Sequence, residues 1–217
     1  MAVAAGILSS TTATPDPDIP KRPYLEPSPY NSGKDLPCSP PRDEGRYCFV
    51  KPDCSHKRDD APRILKAFQR CNDGGTVVLD KSYLISSPLD LTFLKHIDVV
   101  VTGEIHFNDD DVYYWAEHSF KYAFQNQSVY WMWGGEDVNI YGDLSNGKSL
   151  IDGHGQLFWE EGRANKTVRS RSAEKVSTEA DDEVLQFLRP MLFAFDGMKG
   201  ATMSNLRMRN PPHVSCP

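Results

Sequence analysis

The sequence lacks long hydrophobic runs, an excess of basic residues and the common catalytic motifs. None of its apolar segments is long enough to span a bilayer. Its formal net charge of -6 leaves no basic stripe for phosphate contacts. It has no Walker loop, no G-x-S-x-G elbow and no Cys/His spacing typical of zinc sites. We therefore expect no membrane span, no nucleic-acid partner, no bound metal and no cofactor.

The histidines and clustered acids also show no obvious shared site. His96, His106 and His118 follow no common spacing, so we do not expect them to meet. The acidic run at residues 109–111 offers oxygen ligands for a hard cation, but it lacks the interleaved pattern of a calcium loop. We interpret it as a solvated turn.

One short motif could carry acid–base chemistry. On a strand, Asp152 and His154 would share a face, close enough to form an acid–base couple. Gly153 and Gly155 instead favour a sharp turn, in which an aspartate commonly accepts backbone amides. We predict the turn, and from the residues alone we assign no catalytic residue.

Short β-branched runs are what the sequence has in abundance. The gaps between them within residues 75–110 are too short for a crossover helix, which excludes a doubly wound sheet there. The repetition predicts an all-β parallel β-helix in which each coil buries its inward residues on its neighbours, and a sandwich or barrel is the alternative. The runs are TVVL, YLIS, IDVVV and EIHF, followed by segments that begin at Asp137, Ser149, Met191 and Ala201.

One helix is predicted before the first strand. Asp59 or Asp60 can cap it, Pro62 suits its first turn, and the glycines at 74 and 75 stop it. Such a helix would cover the open end of a coil stack. We therefore interpret the two aspartates as a cap and not as a catalytic pair. The apolar stripe of this helix comprises Ile64, Leu65, Phe68 and Cys71.

Residues 108–136 form an aromatic-dense insertion that interrupts the strands. Its rings could stack on sugars, but packing of the loop against the core is the interpretation we favour. A polar stretch at residues 160–182 follows and is predicted to be a solvated loop. Arg163, Arg169 and Arg171 in it could attract an acidic ligand. The aromatic residues are Trp115, Tyr122, Phe124, Tyr130, Trp131 and Trp133.

Cysteines and glycosylation motifs indicate an extracellular protein. Four of the five cysteines lie in the first third of the chain, as disulfides in a secreted protein would. Asn126 and Asn165 each begin an N-x-Ser/Thr sequon and are predicted glycosylation sites. The first 13 residues lack the early positive charge of a signal peptide. The four cysteines are Cys38, Cys48, Cys54 and Cys71.

Several ordered stretches between Tyr47 and Pro212 resemble the N-terminal half of fungal exopolygalacturonases, glycoside hydrolase family 28. The resemblance implies a right-handed parallel β-helix, secretion, and inverting hydrolysis of terminal α-1,4-linked galacturonic acid from pectin by a monomer. It also implies a Cys48–Cys71 disulfide, which leaves Cys38 and Cys54 as candidates for a second pair. The stretches are DDAPRILKAFQRCNDGGTVVL, PLDLTFLKHIDVVVTGEIHF, YW, FQNQS, WGGEDVNIYG, LIDGHGQLFWE and RPMLFAFDGMKGATMSNLRMRNPP.

The catalytic clusters of that family are not found in this sequence. The family carries Asn-Thr-Asp, Asp-Asp, Gly-His-Gly and Arg-Ile-Lys clusters, which the resemblance places after Pro212. The Gly-His-Gly around His154 matches instead a family turn, Asp-Gly-x-Gly, whose third residue is not catalytic. We therefore expect an inactive fragment with no catalytic residue of its own. The alternatives are a non-catalytic β-helix that binds acidic polysaccharide, or a rhamnogalacturonan or xylogalacturonan hydrolase.

Three regions are expected along the chain. Residues 1–45 are a signal remnant and a proline-rich extended arm, since proline neither donates to a ladder nor fits inside a helix. Residues 46–212 are the N-terminal part of the β-helix domain. Residues 213–217, which include Cys216, depart from the continuation that the resemblance implies and are expected to be a non-native tail.

Overall fold

The computed structural model describes residues 19–25, 38–55, 57–123, 127–162 and 189–213. Within them, strands dominate and nearly all strand pairs are parallel. The helices include α1 (Ala61–Cys71) and α2 (Val112–His118), with a 3-10 turn at Leu144–Asn146. Residues 156–162 are also helical, so the prediction of a loop from residue 160 is wrong for residues 160–162. The strands are β1 (Tyr47–Phe49), β2 (Thr76–Leu79), β3 (Ser82–Ile85), β4 (Leu89–Leu91), β5 (Lys95–Val101), β6 (Glu104–Phe107), β7 (Phe120–Tyr122), β8 (Gln127–Gly142), β9 (Leu150–Asp152), β10 (Met191–Ser204) and β11 (Arg207–Arg209).

The chain alternates between two parallel sheets. The first sheet has seven strands, with the order β1-β2-β5-β8-β10 and with β4 and β7 also paired to β8. The second sheet has the order β3-β6-β9-β11. From β2 onward, the first-sheet strands β2, β5, β8 and β10 are followed by β3, β6, β9 and β11 of the second sheet, so each circuit adds one strand to both sheets. The fold is therefore all-β with parallel sheets, and every predicted strand segment is confirmed.

In-register stacking of apolar side chains forms the core. Val77 pairs with Val99, and Val99 pairs with Ile140 on the next strand of the first sheet. All three side chains are buried. In the second sheet, Ile105 and Ile151 pair in the same way and are also buried. Each strand thus covers the inward residues of its neighbour, as the sequence pattern predicted.

Helix α1 forms where the sequence predicts it, and its apolar side faces the core. Ile64, Phe68 and Cys71 are buried, while Leu65 is only partly covered. The Phe68 ring meets Trp133 edge-on with centroids 5.6 Å apart. A disulfide joins Cys48 of β1 to Cys71 at the end of the helix, as the family resemblance implied.

Asp59 and Asp60, before α1, have the structural role that was predicted, but only the Asp59 side chain accepts a backbone amide of the helix. Asp59 Oδ1 accepts a hydrogen bond from the Ala61 amide at 3.0 Å. Asp60 occupies the N-cap position, but its carboxylate caps no backbone amide of the helix and pairs with the Arg63 guanidinium at 3.1 Å. Its buried carboxylate accepts the amides of Asp53 and Leu84 instead, and so ties the helix start to β3.

Four of the six aromatic residues named in the insertion pack in the core, which confirms the favoured interpretation for them. Tyr130 stacks on Phe107 with centroids 4.5 Å apart. The prediction that the whole of residues 108–136 interrupts the strands is wrong, because Gln127–Gly142 is the longest strand. Tyr122 is partly exposed and Phe124 lies outside the described residues. The buried rings are Trp115, Tyr130, Trp131 and Trp133.

Arginines, not a cysteine, anchor the described part of the N-terminal arm. Arg22 and Arg42 both form ion pairs with the buried Asp98 of β5, at 2.8 and 2.9 Å. Cys38 and Cys54 are free and exposed, so the second disulfide suggested for them does not form. Over the described part of the chain, no helix has the length and apolar character of a membrane span.

Candidate functional site

A polar row crosses the second sheet because its parallel strands are in register. His106 of β6 pairs with Asp152 of β9, and Asp152 pairs with Arg209 of β11. The neighbours of His106, Ile105 and Phe107, are both buried in the core. Since side chains alternate along a strand, His106 stands on the opposite face. The register therefore sets an imidazole, a carboxylate and a guanidinium side by side.

The turn after β9 adds a second imidazole to this row. His154 has a left-handed backbone with φ 45°, and its amide donates to Asp152 Oδ1 at 3.1 Å. The Gly155 amide donates to the Asn210 carbonyl at 2.7 Å. A Cβ on Gly155 would lie 2.5 Å from the Pro211 backbone, so this close approach requires glycine. The predicted turn, with Asp152 accepting a backbone amide, is confirmed.

His106 and His154 meet across the two adjacent strands. His106 Nδ1 lies 3.1 Å from His154 Nε2, and the rings are nearly perpendicular. The expectation that His96, His106 and His118 do not meet one another is confirmed, but the sequence did not predict that His106 would meet His154. His96 and His118 stay apart from this pair: His96 contacts Asp137, and His118 contacts the Tyr114 carbonyl.

Asp152 is a buried anion held by several donors. Its side chain is 2% exposed, yet Oδ2 accepts Arg209 Nε at 2.7 Å and Oδ1 accepts Asn210 Nδ2 at 3.1 Å. Burial by itself would raise the pKa of this carboxyl. The bonds from Arg209, the His154 amide and Asn210, with the nearby His154 ring, outweigh burial, and the pKa is lowered. Asp152 is therefore kept ionised.

The other carboxyl groups with clearly displaced pKa values are also kept ionised. Hydrogen bonds from Ser55 and Ser145 lower the pKa of Asp53 and Asp143, respectively. Burial opposes ionisation of Asp137, but bonds from neighbouring side chains lower its pKa to about 2. A glycosidase acid needs the opposite shift, a raised pKa that keeps its proton available. These carboxylates therefore act as structural anions.

The acidic run before α2 behaves as a turn and cap. Asp111 Oδ1 accepts the Tyr114 amide at 2.9 Å at the start of the helix. The Asp110 amide donates to Asn108 Oδ1. Asp109 reaches the histidine pair, with its Oδ2 3.9 Å from His154 Nδ1. The contact between Asp109 and His154 could not be predicted from the local sequence, because it depends on the number of residues in each circuit.

Several sequence predictions fall outside the described residues. These are the two sequon asparagines, Asn126 and Asn165, together with Cys216 and the arginines of the polar stretch. Their structural surroundings are not described, so glycosylation and ligand attraction there stay predictions. The arginines are Arg163, Arg169 and Arg171.

Curated fungal enzymes resemble this chain over most of its length. It is 39% identical over 197 residues to Exopolygalacturonase X-2 of Emericella nidulans, an alignment that covers 91% of this chain and 38% of that protein. It is 39% identical over 187 residues to Probable exopolygalacturonase X of Aspergillus fumigatus, covering 85% of this chain and 37% of that one. Along this length, the chain is similar to fungal exopolygalacturonases.

A third member of the family gives the same picture. Exopolygalacturonase A of Aspergillus niger is 37% identical over 196 residues, or 89% of this chain and 39% of that protein. The chain thus spans 37% to 39% of the length of these three family members. No family model and no solved structure matches it. The resemblance stated from the sequence motifs is confirmed.

Proposed function

We propose that this chain forms coils of a right-handed parallel β-helix in an exo-acting hydrolase of polygalacturonate. The observation that carries the proposal is the 39% identity to Exopolygalacturonase X-2 over 91% of the chain. The alternation between two parallel sheets fits this fold, because each coil of a β-helix contributes one strand to every sheet. The right hand is the one that parallel crossover connections adopt almost without exception.

The substrate of the whole enzyme is proposed to be pectin, cleaved at chain ends with inversion. Inverting hydrolysis needs an acid and a base carboxyl about 6.5 to 9.5 Å apart on opposite faces of the sugar. The clearly shifted carboxyl groups of the described chain are held as anions by hydrogen bonds. We therefore propose that the acid and base come from other residues of the full enzyme, and that these 217 residues alone are inactive.

The compartment we propose is extracellular. The Cys48–Cys71 disulfide supports it, because disulfides persist in oxidising environments and are rare in the cytosol. The two predicted sequons at Asn126 and Asn165 agree with it. The protein should be recovered from the culture medium of a secreting fungal expression host, and treatment with a glycosidase specific for N-linked glycans should lower its apparent mass.

The polysaccharide-binding alternative loses part of its support. It relied on aromatic rings that could stack on sugars and on Arg163, Arg169 and Arg171. The rings of Trp115, Tyr130 and Trp131 are buried in the core instead, and the arginines lie outside the described residues. The names of the relatives likewise favour polygalacturonate over rhamnogalacturonan or xylogalacturonan as the polymer. The exopolygalacturonase scaffold is therefore the function that we retain.

A chimera tests the proposal directly. Residues 46–212 would replace the aligned segment of Exopolygalacturonase A of Aspergillus niger, which leaves the rest of that enzyme unchanged. Because the two segments share a family fold, we expect the chimera to release galacturonic acid from polygalacturonate. The parent enzyme is the positive control, and the 217-residue chain is the negative one. A chimera that is folded by circular dichroism and releases no galacturonic acid would contradict the proposal.

A further inference from the structure

Three metal-binding atoms converge on the outer face of the second sheet. His106 Nδ1 and His154 Nε2 are 3.1 Å apart, and Asp152 Oδ2 lies 3.5 Å from His154 Nε2. All three atoms lie within 4.8 Å of one another. In a tetrahedral zinc site, metal–ligand bonds of about 2.0 to 2.2 Å place neighbouring donors about 3.3 Å apart. The two closer separations already match the edges of such a tetrahedron.

The remaining nitrogen of each imidazole faces a carboxylate. His106 Nε2 lies 3.3 Å from Glu104 Oε2, and His154 Nδ1 lies 3.9 Å from Asp109 Oδ2. Histidines that bind metals commonly donate their other N–H to a carboxylate, which fixes the tautomer and leaves a lone pair on the metal-binding nitrogen. This pattern is independent of the three converging atoms. Glu104 lies within hydrogen-bond distance and can orient the His106 ring for a cation, whereas Asp109 lies beside the outer nitrogen of His154 at a longer distance.

The Asp152 carboxylate is also prepared for a cation. It is buried and ionised, and Arg209 and Asn210 hold its position. A carboxylate oxygen has two lone pairs, so Oδ2 can accept the Arg209 bond and still bind a metal. The Arg209 guanidinium opposes a cation electrostatically. Its side chain is 59% exposed, however, and can move into solvent at little cost.

We propose that His106, His154 and Asp152 form a binding site for a divalent transition-metal ion, with Zn²⁺ the best fit. Two imidazoles and one carboxylate are a donor set that zinc accepts, with water in the fourth position. Both imidazoles are partly exposed, so an ion can enter from solvent. The ion would join β6 to the turn after β9 and so fasten two successive coils. This role is separate from hydrolysis of polygalacturonate.

Titration with zinc tests the site on the whole chain. The purified protein, freed of metal with a chelator, would be titrated with Zn²⁺ in a calorimeter. We expect one ion per chain, and binding at least about tenfold weaker in His106→Ala and in His154→Ala. His118→Ala is the matched control, because that histidine is exposed and its contacts are with Tyr114, through the backbone carbonyl and by ring stacking. It should bind zinc like the wild type.

Two further measurements separate a built site from two neighbouring histidines. Glu104→Gln keeps both imidazoles but weakens the outer acceptor, so its zinc affinity should fall about tenfold. Co²⁺ in the wild-type site should show the visible bands of tetrahedral coordination, and these should disappear in His154→Ala. Circular dichroism verifies that each variant is folded. Absence of zinc binding by the folded wild type, or equal affinity in the wild type and both histidine variants, would overturn the proposal.

Discussion

Arg42 Nε lies 2.9 Å from Asp98 Oδ1, and the two side chains are only 5% and 4% exposed. Arg42 belongs to the segment before β1, whereas Asp98 projects from the outer face of β5. Arg22 Nε and the Tyr141 hydroxyl donate to the other oxygen of Asp98, at 2.8 and 3.2 Å. This buried anion therefore fastens the N-terminal arm to the first sheet.

Removal of Arg42 should destabilise the fold strongly. Arg42→Ala leaves the buried Asp98 charge without the more deeply buried of its two arginine partners, and loss of a buried partner typically costs about 3 to 5 kcal/mol of unfolding free energy. Urea unfolding followed by circular dichroism measures this loss. Lys95→Ala is the control, since Lys95 and Asp73 form an exposed pair 3.8 Å apart, and such pairs contribute less than about 1 kcal/mol. Equal losses in the two variants would contradict the anchoring role.

Asp137 should make stability depend on pH in the acid range. Its pKa in the folded chain is about 2, because bonds from Arg42, Ser39 and His96 outweigh the effect of burial. The pKa of an aspartate in an unfolded chain is about 3.9. The stabilisation that ionised Asp137 contributes is therefore complete at pH values above its unfolded pKa, and it is lost as the pH falls towards its folded pKa.

Asp137→Asn tests that dependence. The variant should be less stable than the wild type at about pH 5, and the difference should shrink between about pH 4 and pH 2. Asn tolerates the left-handed backbone at this position, φ 53°, so the exchange does not add strain there. Unfolding free energies at several pH values supply the measurement. If the difference in unfolding free energy between the two proteins does not change with pH, ionisation of Asp137 does not stabilise the fold.

The disulfide should contribute measurably to stability. Cys48 and Cys71 are 23 residues apart, and closing a loop of that size in the unfolded chain stabilises the fold by roughly 3 kcal/mol. The Cys48→Ala/Cys71→Ala double variant should lose that amount in urea unfolding. Cys54→Ala changes a free, exposed thiol and should leave stability unchanged. If reduction of the wild type does not lower its stability, the prediction fails.

Buried and exposed tryptophans should differ in their effect on stability. Trp131 is 1% exposed and packs edge-on against both Phe107 and Trp133, so Trp131→Ala should cost about 3 to 5 kcal/mol. Trp159 is 39% exposed and lies under the Arg189 guanidinium. Trp159→Ala should cost about 1 kcal/mol, the scale of an exposed cation–π contact. A larger loss from Trp159 than from Trp131 would contradict the core assignment.

The strands could be predicted from the sequence because each predicted run is short and rich in apolar residues, and many of the runs end at a glycine or asparagine. The strands that were missed, Tyr47–Phe49, Leu89–Leu91 and Phe120–Tyr122, are three residues long, too short to show alternation. Their pairing partners, and not their own composition, make them strands. Phe120–Tyr122 is also antiparallel to its partner, unlike the rest of its sheet.

The polar contacts were harder to predict because they join distant parts of the chain. His106 and His154 are 48 residues apart, and they meet only because β6 and β9 are neighbours in register. The number of residues in each circuit cannot be read from the sequence, so the contact between these two histidines could not be predicted from local sequence. Arg42 and Asp137 are 95 residues apart and were missed for the same reason. The turn at Gly153–Gly155, by contrast, is local and was predicted correctly.

The most direct test of the central claim is an assay of the 217-residue chain itself on polygalacturonate. The protein would first be verified as folded by near-ultraviolet circular dichroism, with Exopolygalacturonase A of Aspergillus niger as the positive control. Because its shifted carboxylates act as structural anions, the chain should release no galacturonic acid above a buffer blank. Release of galacturonic acid in proportion to the amount of folded chain would show that the catalytic carboxylates lie within these residues.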